Sequence, residues 1–429
     1  MSKLRFPKPT GFVAPGFERV LQIFRENYEN GMEKGSSFAA YYKGQPVVNL
    51  WGGLADWEVK REWKEDTMGL FYSTTKFMAA ITIAHLVERN LLTYEEKVSK
   101  YWPEFGQNGK ENITVEELLA YRAGLSILSN DFYCSWIRDD PQRLHDMLVK
   151  QKPLWPPGTA HGYHMYTIGL YLNELVKQVD VKGRTLSKYF DDEIAQPIGI
   201  DFYIGVPKSL YYRVARLEPV PVDKVKYMQA LASSKGDAQM LQKALYQLKD
   251  WSSIRALNNP DFLELPVPSS HGAGTALAVA KLMGILANGG QHEGKTVLSP
   301  ASILKLQEPL SYGIDLFSGF GDIYGRGSWL IPIVEGEQNW YMYGHAGFGD
   351  QMGAADPHYK TGFAYTTNRV DPMLTLVKDR SMNKEDEDEG SLVDDVGVET
   401  DDESDVNFDV EEGEVDGLHL DSSDDDESE

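Results

Sequence analysis

The sequence predicts an α+β fold of the α/β sandwich type, in which an antiparallel sheet is flanked by helices and carries an inserted, mostly helical sub-domain. Segments with strand character occur near both ends of the chain, and the stretch between them has the pattern of helices and loops. A sheet assembled from both ends around a helical insertion is the simplest layered arrangement of these elements. With 429 residues, 42% of them hydrophobic, the chain can bury a large core.

The first predicted elements are a helix and a hairpin. Apolar residues recur at helical spacing through Phe17–Lys34, and Gly31 and Gly35 mark the end of that helix. Ser36–Tyr42 and Pro46–Trp51 are rich in β-branched and aromatic residues and are separated by a three-residue loop. Two antiparallel strands are therefore expected after the helix.

The middle of the chain is predicted to be helical, and the end to return to strands. Helices are expected over Thr74–Asn90, from a capping-type start at Thr114, over Thr167–Val179, over Asp237–Leu248 and over Gly274–Asn288. Strands are expected over Ser328–Val334, Trp340–Gly344, Gln351–Asp356 and Gly362–Thr367.

These elements divide the chain into three predicted parts. Residues 1–15 form an N-terminal arm, residues 16–380 the folded domain, and residues 385–429 an acidic tail. Within the domain, the sheet part covers about residues 16–72 and 270–380, and the helical part covers about residues 73–269. An active site is expected in the cleft between these two parts, because ligand sites favour such clefts.

The net charge of −23 belongs to the tail. Of the 65 acidic residues, 23 lie in residues 385–429, which contain no Lys or Arg, and the remaining 42 balance 42 basic residues. Such a segment cannot bury enough apolar surface to offset its ordering entropy, so we expect it to be disordered. The tail would serve as a solvating spacer or bind a basic protein partner. Phosphorylation by an acid-directed kinase is expected at four residues that are followed by an acidic residue three positions later: Ser391, Thr400, Ser422 and Ser423.

Composition also predicts where the protein resides. Cys134 is the single cysteine, which excludes internal disulfides and cysteine-rich metal sites and fits a reducing compartment. The N-terminal sequence lacks the apolar core of a signal peptide, and no run is long enough to span a membrane. A soluble, intracellular, cytoplasmic protein with no nucleic-acid partner is expected.

The chemistry-bearing residues begin with Ser73 and Lys76, which form an SxxK motif where an extended segment turns into a buried helix. Residues three apart share a helix face, so the Lys76 amine can reach the Ser73 hydroxyl. A partly desolvated lysine, or a neighbouring phenolate, can take the proton of a serine and make it a nucleophile. The alternative is a helix N-cap serine beside a surface lysine.

Two further segments support a catalytic reading. Tyr163 follows a loop rich in proline and glycine and precedes a predicted helix, a position from which it can project into a cleft. His345-Ala346-Gly347 ends a strand with small residues, against which a substrate could lie. Taken singly, Tyr163 also fits a packing tyrosine, and His345 a hydrogen-bonded histidine at the sheet edge.

In this order, these segments resemble the serine β-lactamase-like family, which comprises class C β-lactamases, DD-peptidases and related esterases. The resemblance covers about residues 10–380 and is closest to eukaryotic β-lactamase-domain-containing proteins of the esterase-like branch. Leu118–Leu125 looks like the family's LLTHTSGL, and His271–Ala276 and Leu286–Gly290 are further matches. The resemblance implies a β-lactamase/transpeptidase-like fold and no metal or organic cofactor.

The family's roles carry over position by position. Ser73 would attack the carbonyl carbon, Lys76 would shuttle the proton, and Tyr163 would serve as base and then as acid to the leaving group. His345 and Gly347 match the ends of the family's KTG triad, and the N–H groups of Ser73 and Phe348 would form the oxyanion hole. His164, beside Tyr163, is the remaining predicted substrate-binding residue.

Three departures narrow the predicted substrate. Met165 replaces the asparagine of YxN, His345 replaces the lysine of KTG, and Arg122-Ala123-Gly124 replaces TSG. These changes weaken the grip on a β-lactam or peptide carboxylate and leave acyl transfer intact, so a serine hydrolase of esters or amides is expected rather than an antibiotic-degrading enzyme. The alternatives are a catalytically silent binding or scaffolding protein and a metal hydrolase; against the latter, His161 and His164 lack the glutamate of HExxH.

Overall fold

The computed structural model describes residues 7–220, 237, 239–240, 243–244, 247–250 and 254–371. These residues belong to one compact unit, residues 1–380. In it, the predicted α+β architecture is confirmed: an antiparallel sheet lies against helices, with a mostly helical part inserted between its N-terminal and C-terminal strands.

The strands of the described residues are, in chain order, β1 (Thr10–Val13), β2 (Gly35–Tyr42), β3 (Gln45–Asp56), β4 (Arg61–Glu62), β5 (Gly69–Leu70), β6 (Phe202–Ile204), β7 (Glu218–Pro219), β8 (Gly272–Gly274), β9 (Gln291–His292), β10 (Lys295–Thr296), β11 (Trp329–Glu335), β12 (Gln338–Gly347), β13 (Gln351–Asp356), β14 (Thr361–Thr367) and β15 (Arg369–Val370). The main sheet has the order β1-β3-β2-β14-β13-β12-β11, and β4 pairs with β3. β14 pairs antiparallel with β2, which joins the two ends of the chain as predicted.

The α-helices of the described residues are α1 (Glu18–Glu29), α2 (Thr75–Glu88), α3 (Val98–Tyr101), α4 (Val115–Leu119), α5 (Trp136–Asp139), α6 (Pro141–Lys150), α7 (Thr167–Val179), α8 (Leu186–Phe190), α9 (Gln196–Ile198), α10 (Pro260–Leu263), α11 (Ala276–Ala287) and α12 (Pro300–Leu306). α4 begins with the predicted capping box between Thr114 and Glu117.

Glycines and left-handed backbone explain the turn between β2 and β3 and the close packing of α11 on the sheet. Lys43 and Gly44 both have positive φ, 49° and 79°, as a two-residue hairpin turn requires. α11 is apolar on nearly all sides, and it lies close to β14 because the two elements meet at glycines. A Cβ on Gly362 would lie 2.0 Å from the backbone nitrogen of Gly284, so no side chain fits there.

The structure differs from the sequence prediction in the N-terminal arm and in the helical part. The predicted N-terminal arm contains β1, which pairs with β3 at the edge of the main sheet. The predicted helical part contains β6, which forms a small sheet with β8 and β5. The predicted tail, residues 385–429, lies outside the described residues, as does part of the predicted helix 237–248. Across the described ranges, none of the helices has the length and apolar character needed to cross a bilayer.

Candidate active site

Ser73 lies in a 3₁₀ turn, Tyr72–Thr74, between β5 and α2. Phe71 donates its N–H to the carbonyl oxygen of Gly272 in β8 at 2.8 Å, which ties the approach to this turn to the small sheet. Tyr72 has φ 46°, a left-handed conformation that costs a non-glycine residue about 1 kcal/mol or more and persists where the surroundings fix it. The half-buried Ser73 side chain is thereby held at the start of a buried helix.

Lys76 lies one turn further along and faces the same side as Ser73. Its Nζ is 2.9 Å from Ser73 Oγ and donates a hydrogen bond to the carbonyl oxygen of Ser269 at 2.8 Å. The side chain is only 2% exposed, and burial lowers its pKa well below the usual value. A neutral Lys76 amine retains a lone pair that can accept the Ser73 proton.

Tyr163 completes a group of three around the serine hydroxyl. The N–H of the preceding Gly162 donates to the carbonyl oxygen of Tyr121 at 3.1 Å, and Lys76 Nζ lies 4.9 Å from the centre of the Tyr163 ring. Burial raises the pKa of Tyr163, a hydrogen bond with Ser73 lowers it in part, and the charge of Asp315 raises it further. The Tyr163 hydroxyl therefore stays protonated.

His345 lies on β12 beside this group. Its Nδ1 is 2.6 Å from the carbonyl oxygen of Ala346, which only accepts, so Nδ1 carries the proton. Its Nε2 lies 3.5 Å from the hydroxyl of Tyr121, and its ring centre lies 5.9 Å from that of Tyr163. Burial, followed by the nearby Lys76, lowers the pKa of His345 to about 3, so the residue is neutral and offers no positive charge to a substrate carboxylate.

The end of β12 comes against the turn that carries Ser73. A Cβ on Gly347 would lie 2.2 Å from the carbonyl oxygen of Phe71, so only glycine allows this approach. The rings of Tyr72 and Phe348 meet edge to face with centres 5.7 Å apart. These contacts keep the backbone of residues 347–348 beside the backbone of residues 71–73.

His164 has surroundings that differ from the prediction. Its Nε2 accepts the N–H of Leu125 at 3.0 Å, and its Nδ1 lies 2.7 Å from the carbonyl oxygen of Gly162. The ring is fully buried, with both nitrogens engaged by the backbone. His164 thus links the loop before α7 to the segment after α4, and both of its ring nitrogens are engaged within the protein.

Three contributors to the site were absent from the sequence prediction. Tyr121 has φ 59° and a fully buried ring, whose centre lies 5.2 Å from that of Tyr163. The carboxylate of Asp315 accepts the N–H groups of Phe317 and Ser318, each at 2.8 Å, and burial raises its pKa to about 6. Ser269 contributes its carbonyl oxygen to Lys76. The sequence could have identified Tyr121 as a site residue, since it lies in the stretch that looks like LLTHTSGL.

The profile of the Beta-lactamase family matches residues 23–385, most of the chain. The chain belongs to this family. Among its relatives is the Esterase/beta-lactamase LipL of Mycobacterium tuberculosis, 28% identical over 377 residues that cover 84% of this chain and 83% of LipL. The match thus spans the sheet part and the helical part of this β-lactamase-family chain.

Solved structures of similar proteins have the same fold. A family VIII carboxylesterase superposes with a TM-score of 0.74 at 32% identity, covering 85% of this chain and 94% of that one. A penicillin-binding protein homologue from Caulobacter crescentus gives the same TM-score and identity, covering 85% and 95%. These similarities support a serine hydrolase of the esterase type.

The residues that the structure describes include no group of three or more His, Cys, Asp or Glu side chains arranged to hold a metal ion.

Proposed function

We propose that the protein is a serine hydrolase that acts on ester substrates through an acyl-enzyme on Ser73. The contact that carries this proposal is the 2.9 Å approach of the buried Lys76 amine to Ser73 Oγ. A neutral amine at hydrogen-bonding distance from a serine hydroxyl is an activated nucleophile. Amides are the harder substrates for the same steps, because an amine is a poorer leaving group than an alcohol.

In acylation, Ser73 Oγ forms a bond to the ester carbonyl carbon while its proton passes to Lys76. The oxyanion would lie between the N–H groups of Ser73 and Phe348, whose segments are held together by Gly347 and the Tyr72–Phe348 contact. When the carbon–oxygen bond breaks, Tyr163 gives its proton to the leaving alkoxide and regains one from Lys76. In deacylation, water attacks the acyl carbon while its proton passes to Lys76. When the bond to Ser73 Oγ breaks, Tyr163 protonates Oγ and regains a proton from Lys76, and the carboxylic acid is released.

Because Tyr163 stays protonated, the assignment of base and acid differs from the one that the family resemblance implies. Because burial and Asp315 raise its pKa, its phenolate would form only at high pH. Lys76, whose pKa is lowered, is the better base at neutral pH. We therefore assign the base to Lys76 and the acid to Tyr163.

The substrate grip supports esters over β-lactams. His345 is neutral, and the half-buried Met165 offers no amide hydrogen bond. Arg122, where the family has TSG, donates instead to the carbonyl oxygens of Gly158 and of Leu310, so its guanidinium binds loops. None of these three positions offers a free charge to a substrate carboxylate.

The test is active-site labelling of the full chain with a fluorophosphonate probe. Wild-type protein and the control Ser129→Ala, an exposed serine, should be labelled, and Ser73→Ala should be neither labelled nor able to turn over p-nitrophenyl acetate. A wild-type protein that resists the probe while a control esterase reacts would contradict the proposal and favour a catalytically silent protein. Turnover of nitrocefin above that of the acetate ester would contradict the choice of substrate.

A further inference from the structure

An apolar wall lies beside Tyr163. Met165 is half-buried and packs against a cluster that contains the buried Ile127 and Phe317. The ring centre of Phe317 lies 6.4 Å from that of Tyr163, in edge-to-face geometry. On this side, Tyr163 therefore packs against side chains that offer no hydrogen bonds.

This wall continues into an exposed apolar loop, residues 312–316. Tyr312 is 75% exposed, Ile314 47% and Leu316 37%. The loop is anchored next to the site, because Leu316 donates its N–H to the carbonyl oxygen of His161 at 3.0 Å. Asp315, which faces inward, has no exposed surface and raises the pKa of Tyr163. The alternate residues point outward.

The position of these exposed side chains next to the active site indicates a binding role. A single exposed apolar residue needs no explanation, but three in five residues that adjoin a reaction centre form a patch. Phe317 connects the patch to the wall, because it follows Leu316 in the chain and packs beside Met165. Phe317 itself is only 2% exposed, so it backs Met165 and Leu316 from inside, and the one charged side chain of the loop, Asp315, is buried.

We propose that an apolar path formed by Met165, Leu316 and Ile314, with the buried Phe317 behind it, binds an apolar chain of the ester. The proposal rests on the proposed function, and it names esters with an octanoyl or octyl chain as the preferred substrates over those with an acetyl or ethyl chain alone. Burial of methylene groups against the path would lower the free energy of the transition state together with that of the bound ester. The chain belongs to either the acyl or the alcohol side, and the experiment distinguishes the two.

The experiment measures kcat/KM of the full chain for two ester series. One series varies the acyl group of p-nitrophenyl esters from acetyl to octanoyl; the other varies the alcohol of acetate esters from ethyl to octyl. In one of them, kcat/KM should rise by about twofold for each added methylene, as expected for partly buried groups. A flat or falling profile in both series would overturn the proposal.

Variants then test the residues of the path. The double variant Ile314→Ser/Leu316→Ser should lower the octanoyl-to-acetyl ratio, or the octyl-to-ethyl ratio, by about tenfold. Met165→Asn should lower the same ratio by placing an amide in the wall. Val181→Ser, which changes a residue that is 87% exposed on the loop after α7, is the matched control and should leave the ratio unchanged.

The outcomes separate this inference from the proposed function. If no ester is hydrolysed and Ser73 is not labelled, the proposed function fails. If acetate esters are hydrolysed through Ser73 but the variants and the control give equal ratios, only the path is wrong. Thermal unfolding of each variant shows whether a changed ratio comes from a folded protein.

Discussion

At the scale of single residues, burial sets the protonation state of the groups around Ser73. The same desolvation lowers the pKa of Lys76 and of His345 and raises the pKa of Tyr163, because it disfavours the charged form in each case. Burial therefore favours the uncharged forms of an amine, an imidazole and a phenol in one site. An electrically neutral site leaves Lys76 free to take a proton and suits an uncharged ester.

This arrangement predicts the pH dependence of the reaction. Lys76 must be neutral to act as base, so kcat/KM for p-nitrophenyl acetate should rise as pH rises through its lowered pKa and then level off. Because the pKa of Tyr163 is raised, the plateau should continue past about pH 9 without a descending limb. With ethyl acetate, whose leaving alkoxide needs a proton, a Tyr163→Phe variant should lower the plateau and keep the ascending limb in place. A bell-shaped profile that descends near neutral pH would contradict the assignment of acid and base.

At the scale of elements, the end of β12 depends on its close approach to the turn that carries Ser73. In Gly347→Ala, the new Cβ would meet the carbonyl oxygen of Phe71 at 2.2 Å and push residue 348 away from the nucleophile. We expect kcat to fall by about 100-fold, the loss typical of one oxyanion donor. Gly321→Ala is the matched control, because a Cβ there meets nothing within 4 Å. Equal activity of the two variants would show that β12 supplies no oxyanion donor.

A buried carboxylate links the N-terminal residues to β14. Glu33 accepts hydrogen bonds from Tyr365 and from Thr367, and it lies between α1 and β2. Burial raises its pKa to about 7, although both hydrogen bonds and the charge of Arg369 lower it in part, while Asp350 acts in the opposite sense. The folded state thus holds a proton on Glu33 at pH values where the unfolded chain has lost it.

Stability should therefore fall with rising pH between about 4.5 and about 7, since the folded protein binds more protons there than the unfolded chain. Glu33→Gln removes this dependence and should raise the free energy of unfolding at pH 8 by on the order of 1–3 kcal/mol, with a smaller effect at pH 5. Urea unfolding at both pH values measures this, with the exposed Glu29→Gln as control. A variant that is equally destabilised at both would contradict a protonated Glu33.

The elements also show what the sequence could predict. The helix over Thr167–Val179 and the strand over Gln351–Asp356 have the predicted bounds, because apolar residues at helical spacing mark the helix and turn residues bound the strand. β1 was missed since its four residues, Thr-Gly-Phe-Val, are mostly exposed and form a strand only through pairing with β3. Tyr121 was missed as a site residue because its left-handed backbone and its contact with Tyr163 depend on tertiary packing.

At the scale of the whole molecule, the net negative charge and the proposed catalytic residues lie in different parts of the chain. Residues 1–384 hold equal numbers of acidic and basic side chains, and residues 385–429 hold 23 acids and no Lys or Arg. The proposed reaction uses groups of residues 73–348. A basic protein partner or an acid-directed kinase, as expected for the tail, would act on a segment that contributes none of these groups.

Deleting residues 385–429 should accordingly change the colloidal properties of the protein and leave its catalysis intact. The truncated chain loses its whole net charge of −23, so its retention on an anion exchanger should drop sharply. For an uncharged ester, kcat/KM of the truncated chain should match that of the full chain at low and at physiological salt. The reason is that the acidic tail neither attracts nor repels an uncharged substrate. A glycine- and serine-rich replacement of equal length controls for the loss of mass. A fall in kcat/KM that this replacement shares, and that high salt reproduces in the full chain, would show that the acidic residues act on the active site.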